Sequence, residues 1–213
     1  GNTLIYLPSN ATNLFDEEAK VLVGYALNIE IKVISSSDNS SPIEFHIGEG
    51  LDFEEIQHAL DFLTTYNFNY ATLLVHAKQT PYKKFSLMRK LNQSYPWSGI
   101  GTVKHISIIG EDKAKCIIQD NSGDYNTPPA EIATNGIIKN LTFIANHTES
   151  KEVETTGSYA VHVDNRPADT NGMKLRFEDC TFISYQTAAV GLGLYKNQEI
   201  IFDRCELISI TDP

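Results

Sequence analysis

From about residue 103 onward, apolar residues recur in short runs that carry no helical period. Ile106-Ser107-Ile108, Ile117-Ile118, Leu141-Thr142-Phe143, Ala160-Val161-His162-Val163, Cys180-Thr181-Phe182 and Cys205-Glu206-Leu207 alternate or run apolar. This is the pattern of half-buried β-strands. Three longer segments resemble one another: Ile137–Phe143, Arg176–Phe182 and Ile201–Leu207. Leu141 and Cys180 lie 39 residues apart, Cys180 and Cys205 lie 25 apart. The shorter spacing suits one coil of a parallel β-helix, and the longer one suits a coil with a polar insertion over 164–172. Repeats at roughly 20–50 residues mark solenoids, in which each unit buries its apolar face only against its neighbours. In that register Leu141, Cys180 and Cys205 stack inside, as do Phe143, Phe182 and Leu207. A β-sandwich is the alternative architecture.

One segment has helical periodicity. Phe53, Ile56, Leu60 and Leu63 fall on one face, with Glu54, Gln57, His58 and Asp61 opposite, which predicts a helix over about 52–66. Asp52 and Glu55 form a D-x-x-E start that reads as a capping box. Lying just ahead of the first strands, this helix is placed to cover the N-terminal end of the coil, where an open sheet edge invites aggregation. Upstream, Ile29–Ile34 alternates with period two and Ser35–Pro42 has turn composition. The expected organisation is a small β-rich appendage over 1–47 and the solenoid over 48–213.

Composition narrows the partners. The 213 residues include 17 Lys+Arg against 27 Asp+Glu, a net charge of −10. That balance argues against nucleic acid, whose phosphates select clustered Lys and Arg. No apolar run approaches the ~20 residues that span a bilayer, so membrane insertion is not expected. The three cysteines, Cys116, Cys180 and Cys205, form no CxxC pair and sit in apolar runs, as buried thiols do. The six histidines show no HExxH pairing. Asp120 and Asp124 flank Asn121-Ser122-Gly123, too few oxygen ligands for calcium and better read as a turn. No cofactor or metal is expected.

The order of segments carries a resemblance. Ile56-Gln57-His58-Ala59-Leu60, Ile106–Gly110, Gly136–Phe143, Tyr159-Ala160-Val161 and Cys180–Gln186 are similar to stretches of the pectin methylesterase and pectate-lyase-like superfamily. The resemblance implies an all-β fold: a short, single-stranded, right-handed parallel β-helix with an N-terminal capping α-helix and a small N-terminal β appendage. That family hydrolyses methyl esters with a nucleophilic Asp, an acid/base Asp, oxyanion-binding Gln residues and an orienting Arg. Carried across, Gln186 matches one Gln and Asp212 matches the nucleophile of the family's Gly-Thr-Val-Asp-Phe stretch, though Pro213 follows it where the family has Phe. The acid/base position holds Thr187, whose hydroxyl cannot serve as a general acid near neutral pH. Tyr159 stands at the other Gln position, and no segment matches the Arg coil.

These departures imply a degenerate active site. The expected function is a non-catalytic, carbohydrate-interacting β-helix protein, with a pectinesterase-like carbohydrate esterase and a purely structural solenoid as alternatives. Tyr159, Tyr185, Trp97 and Tyr195 are the candidate sugar-stacking residues, because planar aromatic faces along a shallow groove suit sugar rings. The expected partner is a polysaccharide or cell-surface glycan. A homo-oligomer through the C-terminal end is a further expected partner. Asn13–Asp16 with Val23–Asn28 also resembles a short module of phage and prophage tail proteins. The expected location is therefore extracellular, at the cell surface, or on a virion or prophage tail.

Overall fold

A computed structural model describes residues 4–7, 30–33, 42–66, 68–87, 105–120, 128–145, 159–164, 172–185, 188–193 and 197–210. In the first 41 residues, β1 (Leu4–Leu7) and β2 (Glu30–Val33) pair in parallel, Leu4 opposite Glu30 and Leu7 opposite Val33. The rest winds around three parallel sheets. Sheet I holds β3 (Ile43–Ile47), β4 (Tyr70–Val75), β6 (His105–Gly110), β9 (Gly136–Lys139), β12 (Lys174–Glu178) and β15 (Glu199–Asp203). Sheet II holds β7 (Ile117–Asp120), β10 (Thr142–Ala145), β13 (Thr181–Ser184) and β16 (Glu206–Ser209). Sheet III holds β5 (Phe85–Ser86), β8 (Ala130–Glu131), β11 (Val161–Asp164) and β14 (Val190–Gly193).

From β6 onward the chain visits sheets I, II and III in turn, so each full circuit adds one strand to each sheet, and the architecture is a parallel β-helix. Among the described residues every strand pairing is parallel, which removes the antiparallel sandwich. Sheet I begins with β3, paired in parallel with β4 from Ile43 opposite Ala71 to Ile47 opposite Val75.

The register matches the sequence pattern. Phe143 pairs with Phe182, and Phe182 with Leu207; Ile138 pairs with Phe177, and Phe177 with Phe202. Parallel in-register strands ~4.8 Å apart bring like side chains into rows. Phe143 and Phe182 accordingly stack at 5.4 Å and 7°, and Phe177 and Phe202 at 5.0 Å and 10°. Phe177 meets Phe182 edge-on at 5.3 Å, tying the two rows together across the lumen.

The corner between sheets I and II explains the repeated segments. Asn140, Asp179 and Arg204 all adopt the left-handed region, with φ of 53°, 51° and 51°. Each is followed by an inward residue: Leu141, Cys180 and Cys205. Asn and Asp tolerate this conformation through local side-chain hydrogen bonds, whereas other L-residues pay about 1–2 kcal/mol. Arg204 is the misfit, and its guanidinium is held bidentately by Asp179 at 2.8 and 3.1 Å and by Asp203 at 2.7 Å. The corners are also laced vertically, Asn140 N donating to Glu178 O and Asp179 N to Asp203 O.

The helix α1 spans Ile56–Thr65 and packs on β3, β4 and β5, the first strands of sheets I and III. Ile56, Ala59, Leu60 and Leu63 are buried there. Two expectations fail. No capping box forms: the N-cap is Glu55 and makes no side-chain cap bond. Its carboxylate instead accepts from Lys78 Nζ at 3.0 Å and Lys83 N at 2.9 Å, while Asp52 accepts from His46 N at 2.8 Å. Gln57 is buried rather than solvent-facing. Its amide oxygen accepts from Ser86 N at 2.8 Å, and its amide nitrogen donates to Asp61 at 2.8 Å. The loops of the first coil out-competed the local helix-start signals for these polar groups.

Candidate functional site

The outer face of sheet III concentrates polar chemistry. Along β8 and its neighbour, Ala130 and Ile132 are buried in the core, so alternation directs Glu131 away from the lumen. The parallel register then sets Ser86 opposite Glu131, Glu131 opposite His162, and His162 opposite Gly191. Four successive coils thus place Ser, Glu, His and Gly in one line. Although they face outward, Ser86 and Glu131 are only 1% and 2% exposed. Ser86 Oγ donates to Glu131 Oε2 at 3.0 Å, and Ser86 N is tied to Gln57 on the capping helix. Helix and sheet therefore fix the carboxylate jointly.

Tyr159 completes the line. It lies just ahead of β11 and its ring stacks on His162, centroids 5.6 Å apart at 27°. The ring also covers Gly191, where an added Cβ would sit 2.5 Å from it. Glycine is required there by the close approach of the aromatic face rather than by backbone conformation. Tyr159 and His162 present an aromatic plane and an imidazole, a stacking surface with a polar edge, while the buried Ser86–Glu131 pair holds β5 to β8 beside them.

The sequence-derived candidates divide as follows. Tyr159 joins this line. Tyr185 directly follows β13 and is 43% exposed at the corner between sheets II and III. Gln186, Trp97, Tyr195 and Asp212 lie outside the described residues. Asp120, weighed above as a turn residue, ends β7 and pairs with Lys84 Nζ at 3.3 Å. Sequence reasoning did not single out Ser86, Glu131 or Gln57. The available signal was a carboxylate between two inward aliphatics in Ala130-Glu131-Ile132, and its weight depends on a register that one strand cannot show.

At the sheet I–II corner, Lys139, Glu178, Arg176, Asp203, Arg204 and Asp179 form one ion-pair chain across three coils. The hydrogen bond from Arg176 holds the Glu178 carboxyl below its ordinary range, and Arg204 does the same for Asp179. The cysteines are free thiols. Burial pushes Cys180 up to about 12 and raises Cys116 and Cys205 as well, opposite to the shift a nucleophilic thiol needs.

No protein-family model matches this sequence, and no curated protein matches it at a significant level. Solved structures do match. Pectin methylesterase PemA from Erwinia chrysanthemi superposes with a TM-score of 0.52 at 13% identity, over 78% of this chain and 49% of that one. A pectin methylesterase mutant crystallised with a hexasaccharide gives a TM-score of 0.53 at 13% identity and the same coverage. The fold is a right-handed parallel β-helix of the pectin methylesterase kind. At this identity the likeness is one of fold, and the chain spans about half the length of the structures it matches.

Proposed function

We propose that this protein is a non-catalytic, carbohydrate-interacting β-helix that holds a polysaccharide or cell-surface glycan along the outer face of sheet III. The observation that carries the reading is Tyr159, stacked on His162 and seated over Gly191, beside the buried Ser86–Glu131 pair. The aromatic face is held rigidly, so stacking a sugar on it costs little ordering entropy. A solved structure of the same fold, a pectin methylesterase mutant, carries a hexasaccharide, which supports a saccharide over other ligands for this scaffold. The net charge of −10 favours neutral or partly esterified glycans over polyanionic ones. An extracellular, cell-surface or tail-associated location and a homo-oligomer through the C-terminal end accompany this reading.

The test is a polysaccharide pull-down and glycan array on the native chain, with Tyr159→Ala and Tyr185→Ala as variants. Capture of a neutral glycan that weakens in Tyr159→Ala supports the reading; absence of any glycan ligand overturns it in favour of a structural solenoid. The esterase alternative rests on Gln186 and Asp212, the two positions that match the family's catalytic stretches. Methanol release from methyl-esterified pectin, abolished in Asp212→Asn, would establish it.

A further inference from the structure

The inward row at the sheet I–II corner ends in two cysteines. Ile117, Thr142, Thr181 and Glu206 open β7, β10, β13 and β16 in register. The residues just ahead of them, Cys116, Leu141, Cys180 and Cys205, therefore stack in the same order. On the other side of the corner Glu178 lies opposite Asp203, which sets Cys180 opposite Cys205. Glu206 N donates to Cys180 O at 2.9 Å, closing the rung between them. Both cysteines are free thiols in this structure.

The two side chains have matching surroundings. Cys180 Sγ lies 3.3 Å from Glu178 O and 3.5 Å from Ile138 O. Cys205 Sγ lies 3.4 Å from Asp203 O and 3.6 Å from Phe177 O. Ile138 and Phe177 are themselves register partners, so the sulfurs repeat one orientation a coil apart. Each leans toward the preceding coil, and the Cys205 sulfur thus points at the coil that carries Cys180.

Spacing decides which thiols can join. Adjacent coils set Cα atoms ~4.8 Å apart, inside the roughly 4.4–6.8 Å range of a disulfide. Cys116 is two coils from Cys180, at about 9.6 Å with Leu141 between them, beyond the ~7 Å limit. Cβ atoms about 4.8 Å apart must close by a few tenths of an ångström to reach the usual ~3.5–4.5 Å. Cys205 can make that movement, because β15 and β16 each have a neighbour on one side only among the described strands. Cys205 is half-buried whereas Cys180 is fully buried, so an oxidant reaches Cys205 first.

We propose that Cys180 and Cys205 form a redox couple whose disulfide clamps the last described coil onto the coil before it. The oxidant is a low-molecular-weight disulfide, RSSR. The Cys205 thiolate attacks one of its sulfurs, giving a Cys205–S–S–R mixed disulfide and releasing RS⁻. The Cys180 thiolate then attacks Cys205 Sγ, forming the Cys180–Cys205 bond and releasing a second RS⁻. Two protein thiols are oxidised, one RSSR is reduced to two RSH, and the two thiol protons pass to the released thiolates. Burial raises both thiols above their ordinary range, which makes the exchange slow. Thiol-rich surroundings reverse it and oxidising ones hold it.

The test uses the native chain, reduced, freed of reductant and incubated without denaturant at pH 8 with oxidised glutathione, then mapped by mass spectrometry. The expected product has lost two hydrogens, contains one Cys180–Cys205 linked peptide and keeps Cys116 as a thiol. Cys116→Ser should form the same link. Cys180→Ser should stop at the mixed disulfide of Cys205 with glutathione, and Cys205→Ser should leave Cys180 unmodified. Oxidation should slow amide exchange in β15 and β16, and dithiothreitol should restore it. Free Cys180 and Cys205 after oxidation of the native chain overturn the proposal, as do links through Cys116, links between two chains, or a link that forms only in urea.

Discussion

Phe182 offers the sharpest test of the stacked interior. It is fully buried, stacked on Phe143 at 5.4 Å, and edge-on to Phe177 at 5.3 Å and Phe202 at 5.8 Å. Removing the ring in Phe182→Ala empties the centre of one row and strips the other of its edge-on contacts. Loss of a buried phenylalanine costs about 3–5 kcal/mol, because the cavity adds to the lost transfer energy. Leu207 occupies the same row one coil later but is 53% exposed. Half of the ~1.5–3 kcal/mol for burying a leucine is at stake there, so Leu207→Ala should cost about 1 kcal/mol. Urea unfolding followed by circular dichroism measures both. At ~2–4 °C per kcal/mol for a chain of this size, Phe182→Ala should melt roughly 8–15 °C lower and Leu207→Ala only a few degrees lower. Equal losses, with unchanged m-values, would refute a solenoid in which burial decays toward the last described coil.

Three further outcomes are expected. Glu178 and Asp179 have carboxyl pKa values depressed by Arg176 and Arg204, so their stabilisation is present above the unfolded values near ~4 and is lost as pH falls through the folded ones. Melting temperatures between pH 7 and pH 3 should therefore drop more in the native chain than in Arg204→Met; parallel curves would contradict the ion-pair chain. In native protein at pH 8, the half-buried Cys205 should react with maleimide before Cys116 and Cys180, which are fully buried; mass spectrometry showing equal labelling would argue against the interior register. Gly191→Ala should push the Tyr159 ring off His162, since its Cβ would come within 2.5 Å of that ring, at a cost of about 1–3 kcal/mol. An unmoved His162 ring resonance would show that the stack is not there.

The solenoid was legible because its signal is local and repeated. Ile137–Phe143, Arg176–Phe182 and Ile201–Leu207 each carry strand, left-handed corner, inward residue and strand in the same order, so their alignment alone gave the observed pairing of Phe143, Phe182 and Leu207. The capping helix was equally readable from Ile56, Leu60 and Leu63. Its start was not, because Asp52 and Glu55 found partners in His46, Lys78 and Lys83. A short-range capping box competes poorly with loops that fold back over it.

The polar line on sheet III could not be read in advance. Ser86, Glu131 and His162 are spread over 77 positions. Each of these residues alone is an ordinary polar side chain on a strand. Period-two alternation determined that they face outward, and the sequence needed nothing else to determine that. Coil lengths vary with the insertions between strands, so only the closed circuit of three sheets decided which outward residues became neighbours ~4.8 Å apart.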